Sequence, residues 1–404
     1  MPEITVGTAV GTAVGTAVGP AKEQDYEELM ALLDNVFFLE DEEEPKRTFL
    51  TLLPKLYKKE YKPWENNYCV WEDGALKAAV GMYVSEIEIA GQTLRVGGIG
   101  NVAVARDCRR KGYMRLAMDA AMEAMRAAGC DFGELGGQRQ RYQFWGFERG
   151  GAAVDASFSE KNLRHAYGEN ALDPAWSAEE VKPEDQEALA RVQGFIEAMP
   201  IHYKHEPAAF YDCLRSWNET PYALWKNGAL EGFFTLSRDK KYVGQLRLAG
   251  AGNLEMAVRA VYSVLPEKDG GMRVGMSIPL WQTELLRLAE EVSEGCDIDD
   301  TGMYTILNWE KMLGALMKLQ AMCKPLPDGE ITVSVDGETL RIAVKEGVPS
   351  VYAGGWHAAP TAWKFTHLEA MRYFLAPYTN LRNGDVPAQC WFPLPISLMG
   401  IDTV

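Results

Sequence analysis

The chain has 404 residues, more than one ordinary hydrophobic core organises, so two or three domains are expected. Its 41 Lys and Arg stand against 57 Asp and Glu, a net charge of −16. That balance argues against nonspecific nucleic-acid binding, which needs a positive surface. No apolar run reaches the length of a bilayer span. The acidic field suits a cationic small substrate, and solubility alone explains it equally well. The seven cysteines, Cys69, Cys108, Cys130, Cys213, Cys296, Cys323 and Cys390, are scattered and contain no C-x-x-C pair. Neither a metal site nor a disulfide framework is indicated, and the pattern fits free thiols in a reducing compartment. The first residues lack a basic leading region and carry Glu3, so the expected location is cytoplasmic, with no membrane partner.

Residues 7 to 18 are three copies of Gly-Thr-Ala-Val, read as a low-complexity segment that extends a first strand within residues 1–20. A helix follows, with Tyr26, Leu29, Met30, Leu33, Val36 and Phe37 on one face and Asp25 at its expected N-cap. Glu40 to Glu44 reads as a solvated acidic loop. Tyr68 to Val80 contains two apolar runs joined at Asp73-Gly74, a strong hairpin signal. Ile87–Ile89 and Leu94–Val96 form a second strand pair around Gly91. The pattern then returns: Tyr68, Trp71, Gly74, Ala75 and Leu76 match Tyr222, Trp225, Gly228, Ala229 and Leu230 at a shift of 154. Asp25, Glu27 and Leu29 match Asp185, Glu187 and Leu189 at a shift of 160. Two matches in the same order point to a duplicated unit. The last hundred residues differ, with a hairpin about Asp336-Gly337 and a capping box, Thr366 and Glu369, ahead of a helix over 368–375. The expected fold class is α/β (α+β): two tandem mixed-sheet domains and a smaller α+β domain.

Chemistry concentrates between Gly97 and Gly129. Val102 and Val104 read as a strand end, followed by a turn, Arg109-Arg110-Lys111-Gly112, and a helix with Met114, Met118, Ala121, Met122 and Met125 on one side. Gly129 is placed to cap it. A strand, a basic loop and a helix N-terminus make an anion cradle, because unpaired N–H groups and the helix dipole point at the ligand. Gly112 lets the backbone approach a phosphate, and the three cations before it add charge. The spacing matches neither a nucleotide P-loop nor GxGxxG. By default the basic run would be a solvated loop and the methionines core packing. The five histidines show no metal-ligand spacing.

This stretch resembles the pyrophosphate loop of the GCN5-related N-acetyltransferases (GNAT), with Met114 in place of the usual small residue. It is more similar to one branch, the enhanced-intracellular-survival family, where a bulky aliphatic residue follows the basic run. The resemblance covers nearly the whole chain. It implies a catalytic GNAT domain over 21–155, a degenerate GNAT-like domain over 156–300 and a sterol-carrier-protein-like domain over 301–404. It also implies that Val102, Ala103 and Val104 face the acyl and pantetheine arm of acetyl-CoA. Arg109, Arg110, Lys111, Gly112, Tyr113, Met114 and Arg115 would hold its pyrophosphate. The second copy, Leu246 to Leu254, has no Arg-x-x-Gly loop, and a lost cofactor site is expected there.

Tyr142-Gln-Phe-Trp145-Gly-Phe147 resembles the family segment that carries the general acid, which would be Tyr142. A phenol of ordinary pKa stays protonated at neutral pH and can donate to a departing sulfur. The resemblance makes the α-carboxylate of the last residue, Val404, the general base, and Phe392 to Gly400 is apolar enough to bury the tail leading to it. A backbone N–H near Val102 would stabilise the oxyanion. The implied reaction is acetyl transfer to an amine of a small cationic molecule, of the aminoglycoside or polyamine class, in a homo-oligomer, a hexamer in the family. The alternative is a carrier that binds acyl-CoA or a lipid without turnover.

Overall fold

The computed structural model describes residues 15–40, 46–168, 175–239, 241–248, 273–354, 363–379 and 388–404. Most of the Gly-Thr-Ala-Val repeat, the loop 41–45 and residues 249–254 therefore lie outside the described residues. The first unit contains β1 (Thr16–Pro20), β2 (Asn67–Glu72), β3 (Ala75–Ile89), β4 (Gln92–Val104), β5 (Phe132–Leu135) and β6 (Glu148–Gly150). Helix α1 (Tyr26–Phe37) covers one face of this sheet and α2 (Tyr113–Ala127) the other. The hairpins form where the sequence supplies left-handed residues: Asp73 and Gly74 have φ of 52° and 82°. Asp25 departs from its expected part. It closes a preceding turn, accepting from the Lys22 N–H at 2.8 Å, and makes no side-chain cap to α1.

The second unit contains β7 (Ala153–Ser159), β8 (Trp176–Glu180), β10 (Glu219–Lys226), β11 (Ala229–Ser237), β12 (Tyr242–Leu248), β13 (Arg273–Pro279) and β14 (Cys296–Asp299). Between β8 and β10 in the chain, β9 (Ile201–Tyr203) instead pairs with the far end of β3. Helices α3 (Gln186–Glu197) and α4 (Thr283–Val292) pack on opposite faces of the second sheet. Asp185, the counterpart of Asp25 in the repeat, does cap its helix: its Oδ1 accepts from the Ala188 N–H at 3.0 Å.

The duplication is visible in strand order. With β15 (Gly302–Ile306) added, the first sheet runs β1-β2-β3-β4-β5-β15-β6 and the second β8-β10-β11-β12-β13-β7-β14. Each sheet receives its penultimate strand from the other half of the chain: β15 enters the first sheet and β7 the second. The matching tryptophans also coincide in geometry, since a bulge falls at Val70/Trp71 in one copy and Leu224/Trp225 in the other. The exchange binds the two units through backbone hydrogen bonds as well as side chains.

The third unit is the sheet β18-β17-β16-β19, formed by β16 (Gly329–Val335), β17 (Glu338–Lys345), β18 (Val348–Ala353) and β19 (Trp363–Phe365). Helices α5 (Trp309–Cys323) and α6 (His367–Leu375) share its core with the outer end of β3–β4. The capping box ahead of α6 is present, Glu369 Oε2 accepting from the Thr366 N–H at 2.8 Å. Among the described residues, no helix is long and apolar enough to cross a membrane.

Glu148, fully buried on β6, joins the first and third units. It accepts from Arg139, from Arg372 of α6 at 2.6 Å, and from the Arg149 N–H at 2.9 Å. Burial raises its carboxyl, but these bonds prevail and hold it at about 2. A depressed folded pKa stabilises above the unfolded value and is lost as pH falls through the folded one. Acid unfolding of this junction is therefore expected between about pH 4.5 and 2. Glu148→Gln should cost roughly 2–3 kcal/mol near neutral pH, the lower end reflecting the partial exposure of both guanidiniums. Urea melts of both proteins at neutral and acid pH check this: the gap should close at acid pH.

Candidate active site

The site is built where β4 and β5 part. These parallel strands pair from Val96–Phe132 to Ile99–Leu135 and no further. Beyond Ile99, β4 keeps its β3 neighbour, with Ala103 opposite Ala79 and Val104 opposite Ala78. Its other edge, toward β5, is left unpaired among the described residues. Asn101 has φ of 42° and lies in a bulge between the Gly81–Gly100 and Ala79–Ala103 pairs. Val102, Ala103 and Val104 thus present backbone N–H and C=O groups along one open strand edge, which a pantetheine amide can match. Val102 and Val104 are half-buried and Ala103 is buried.

The basic loop follows. Arg109 and Arg110 are exposed, Arg110 in the left-handed region at φ 71°. Gly112 is the N-cap of α2 at φ 85°, and a Cβ there would meet nothing within 4 Å. Its glycine is therefore required by backbone conformation. The N–H groups of the first turn of α2, including those of Tyr113 and Met114, have no partner within the helix. The side chains divide their work. Lys111 Nζ sits on the Glu72 carboxylate at 2.9 Å, and the Tyr113 hydroxyl donates to the same group. Met114 packs partly into the core, while the Arg115 guanidinium stacks 4.5 Å over the ring of Phe144. Arg109 and Arg110 are left as the cations presented at the loop surface.

Tyr142 ends the short helix Arg139–Tyr142 and is buried with Ile99, Met118, Leu135 and Phe147. Its ring lies 6.3 Å from that of Trp145, whose indole N–H donates to Asp119 at 2.7 Å. Burial pushes the phenol above its ordinary value, and the neighbouring Arg141 pulls it partly back. Tyr142 is therefore protonated at neutral pH.

Val404 lies on the other face of the same strands. A Cβ built on Gly98 would fall 2.6 Å from Val404 Cγ2, and one on Gly100 would fall 3.2 Å from its carboxyl carbon. Both glycines are needed because the chain end is seated on them. The tail reaches this point through all three units: Leu394 and Ile396 are buried in the third, Met399 and Ile401 in the second, Val404 against the first. Lys55 Nζ donates to the carbonyls of Ile401 and Thr403, the latter at 2.8 Å, and Trp217 Nε1 donates to Thr403 O at 3.2 Å. His205 Nε2 meets Asp402 Oδ1. Cys213 completes a compact set with these two, all three ligand atoms lying within 4.8 Å of one another.

Glu134 was not singled out in the sequence. It is buried on β5 beside Val404, its Oε1 only 3.2 Å from where a Cβ on Gly98 would stand. Burial raises its carboxyl to about 7, with Lys55 pulling it down and Asp402 pushing it up. The signal that could have exposed it is a carboxylate inside the four-residue run Phe-Gly-Glu-Leu of an interior strand.

Residues 17–145 match the model of an acetyltransferase (GNAT) domain. No curated protein sequence matches the chain. Among solved structures, the chain is similar to a GCN5-related N-acetyltransferase from Kribbella flavida, 14% identical with a TM-score of 0.65, over 98% of this chain and 100% of that one. It is similar to a GCN5-related N-acetyltransferase from Anabaena variabilis, 13% identical with a TM-score of 0.65, over 96% and 100%. Eis1 from Mycobacterium abscessus is 12% identical with a TM-score of 0.59, over 94% and 97%. At these identities the likeness is one of fold. The chain thus carries an acetyltransferase domain of the GNAT type at residues 17–145, within a fold that these structures share along its length.

Proposed function

We propose that this protein transfers the acetyl group of acetyl-CoA directly to an amine of a small cationic molecule, of the aminoglycoside or polyamine class. The observation that carries the reading is the seating of the Val404 carboxyl on Gly100, at the point where β4 and β5 part. The exposed guanidiniums of Arg109 and Arg110 and the first turn of α2 receive the pyrophosphate, and the open edge of Val102–Val104 orients the pantetheine arm. The Val404 carboxylate takes a proton from the substrate ammonium. The freed amine nitrogen attacks the thioester carbonyl, and a backbone N–H near Val102 stabilises the oxyanion. As the tetrahedral species collapses, the carbon–sulfur bond breaks and the Tyr142 hydroxyl protonates the departing sulfur. No covalent enzyme intermediate is formed, and no cysteine takes part.

Glu134 supports a second assignment of the base, because its carboxyl near 7 is poised to accept a proton at neutral pH. Glu134→Gln and an extended C-terminus separate the two, as argued below. Initial rates over a grid of acetyl-CoA and amine concentrations test direct transfer: intersecting reciprocal plots are expected, and parallel lines would contradict it. Replacing both Arg109 and Arg110 with Ala should raise KM for acetyl-CoA about tenfold with kcat nearly kept, and the effect should shrink at high salt. A homo-oligomer belongs to the same reading, and sedimentation velocity tests it. A carrier of acyl-CoA or lipid remains the competing reading, and it requires neither Tyr142 nor a free chain end.

A further inference from the structure

The second unit repeats the geometry of the first at one further place. Its parallel strands β12 and β13 pair at Tyr242–Gly275 and Val243–Met276 and then part, as β4 and β5 do after Ile99. Met82, opposite Ile99, corresponds at the shift of 154 to Leu236, opposite Val243. Gly244 is the residue just past that last pair, as Gly100 is in the first unit; Gly244 is bulged out of the β11–β12 register, whereas Gly100 still pairs with Gly81 and the bulge follows it. A Cβ on Gly100 would be 3.2 Å from the carboxyl carbon of Val404; one on Gly244 would be 2.9 Å from the carboxyl carbon of Glu219. Each unit thus lays a carboxylate over the glycine at which its strands part.

Around Glu219 the structure has a cavity of about 400 Å³, which Trp217, Tyr242 and Trp281 also line. No Lys, Arg or His lines it among the described residues. Its other carboxylate, Asp300, is engaged by Arg149 at 2.9 Å. Glu219 Oε2 is buried beside the Thr235 hydroxyl; burial raises the carboxyl to about 7, and that hydroxyl pulls it partly back. Trp217 and Asn218, just before it, both hold left-handed backbone at φ of 61° and 60°, a conformation that Asn accepts readily and that Trp does not favour. Across the cavity lies the C-terminal tail, from Ser397 to Ile401 and Thr403.

We propose that this cavity is a second ligand site that binds an organic ammonium ion, paired to Glu219 and enclosed by Trp217, Tyr242 and Trp281. A carboxylate with one oxygen buried and no cation beside it among the described residues is costly to ionise until an ammonium ion joins it. Aromatic walls around a carboxylate are the surroundings that retain an alkylated ammonium, which gains cation–π attraction and apolar contact together. An acyl-CoA is the wrong guest, because no lining residue supplies positive charge for its phosphates. The site stands on its own lining residues and does not depend on the base assigned to the first unit.

Choline is the probe, because its quaternary nitrogen carries no N–H and cannot accept an acetyl group, and with no acetyl-CoA in the titration its hydroxyl is not acetylated either. Calorimetric titration of the whole protein at constant ionic strength should show one saturable site. Its neutral carbon isostere should bind at least tenfold more weakly. Glu219→Gln, nearly identical in shape, should weaken choline about tenfold or more, Glu219→Asp should retain part of the affinity, and Trp217→Phe should weaken it less than Glu219→Gln does. Melting temperatures of the variants report whether they fold. Absence of saturable choline binding, equal binding by Glu219→Gln, or equal binding of the neutral isostere would each overturn the assignment.

Discussion

Adding one glycine after Val404 should reduce kcat by about 10²–10⁴-fold, the usual contribution of a general base, while acetyl-CoA still binds with unchanged affinity. The reason is steric as well as chemical. The Val404 carboxyl carbon would lie 3.2 Å from a Cβ on Gly100, so an added residue moves the free carboxylate away from its seat on that strand. The added peptide bond also turns the carboxylate into an amide, which cannot take the proton. The tail should hold its course, because Ile401 is buried and Lys55 and Trp217 bind the carbonyls before Val404. Single-turnover rates together with equilibrium CoA titration separate the effect on chemistry from that on binding. If the extended protein turns over normally and Glu134→Gln does not, Glu134 is the base.

Tyr142→Phe is expected to lower kcat by a comparable factor, about 10²–10⁴-fold, with KM for acetyl-CoA within a few fold of the parent. The substitution keeps the ring that packs against Leu135 and Phe147 and removes only the hydroxyl, so the melting temperature should hardly move. Because burial raises this phenol above its ordinary value, loss of its proton should not limit the rate until strongly alkaline pH. An unchanged kcat in the Phe variant would remove Tyr142 from the reaction. A thioester carrying a better leaving group offers a further check, since it depends less on protonation and should recover part of the lost rate.

Local structure was largely legible in the sequence. Asp73-Gly74 and Asp336-Gly337 mark turns because those residues accept left-handed backbone, and the structure uses them so. The Thr366 and Glu369 spacing gives its capping box, and Gly129 ends α2 at φ 68°. Even the duplication was readable, since the same Trp and turn residues recur. Asp25 shows where local reading stops: acidic caps look alike, and its carboxylate was claimed by the Lys22 N–H instead. The exchange of β7 and β15 was not legible, because pairing partners far apart in sequence leave no local pattern. Sheet membership is decided by which edge is open when the units meet.

The site divides in the same way. Arg109 to Arg115 stand out by charge and by their place between strand and helix, and Gly112 by its required conformation. That Lys111 and Tyr113 turn to Glu72 depends on a strand forty residues earlier and could not be foreseen from the loop. Val404 was named through resemblance alone, since no property of a terminal valine announces a role. Glu134 and Glu219 were missed because a carboxylate in a strand reads as the solvent side of an alternating pattern. Only the tertiary fold shows them facing inward at the two places where parallel strands part.

The measurement that bears most directly on the central claim is thiol release from acetyl-CoA across a panel of polycationic amines, using protein that ends at Val404. Release should depend on the amine, saturate in both substrates and yield an acetylated amine in equal amount. Saturable binding of acetyl-CoA with no amine-dependent release from any member of the panel would contradict it and favour a carrier.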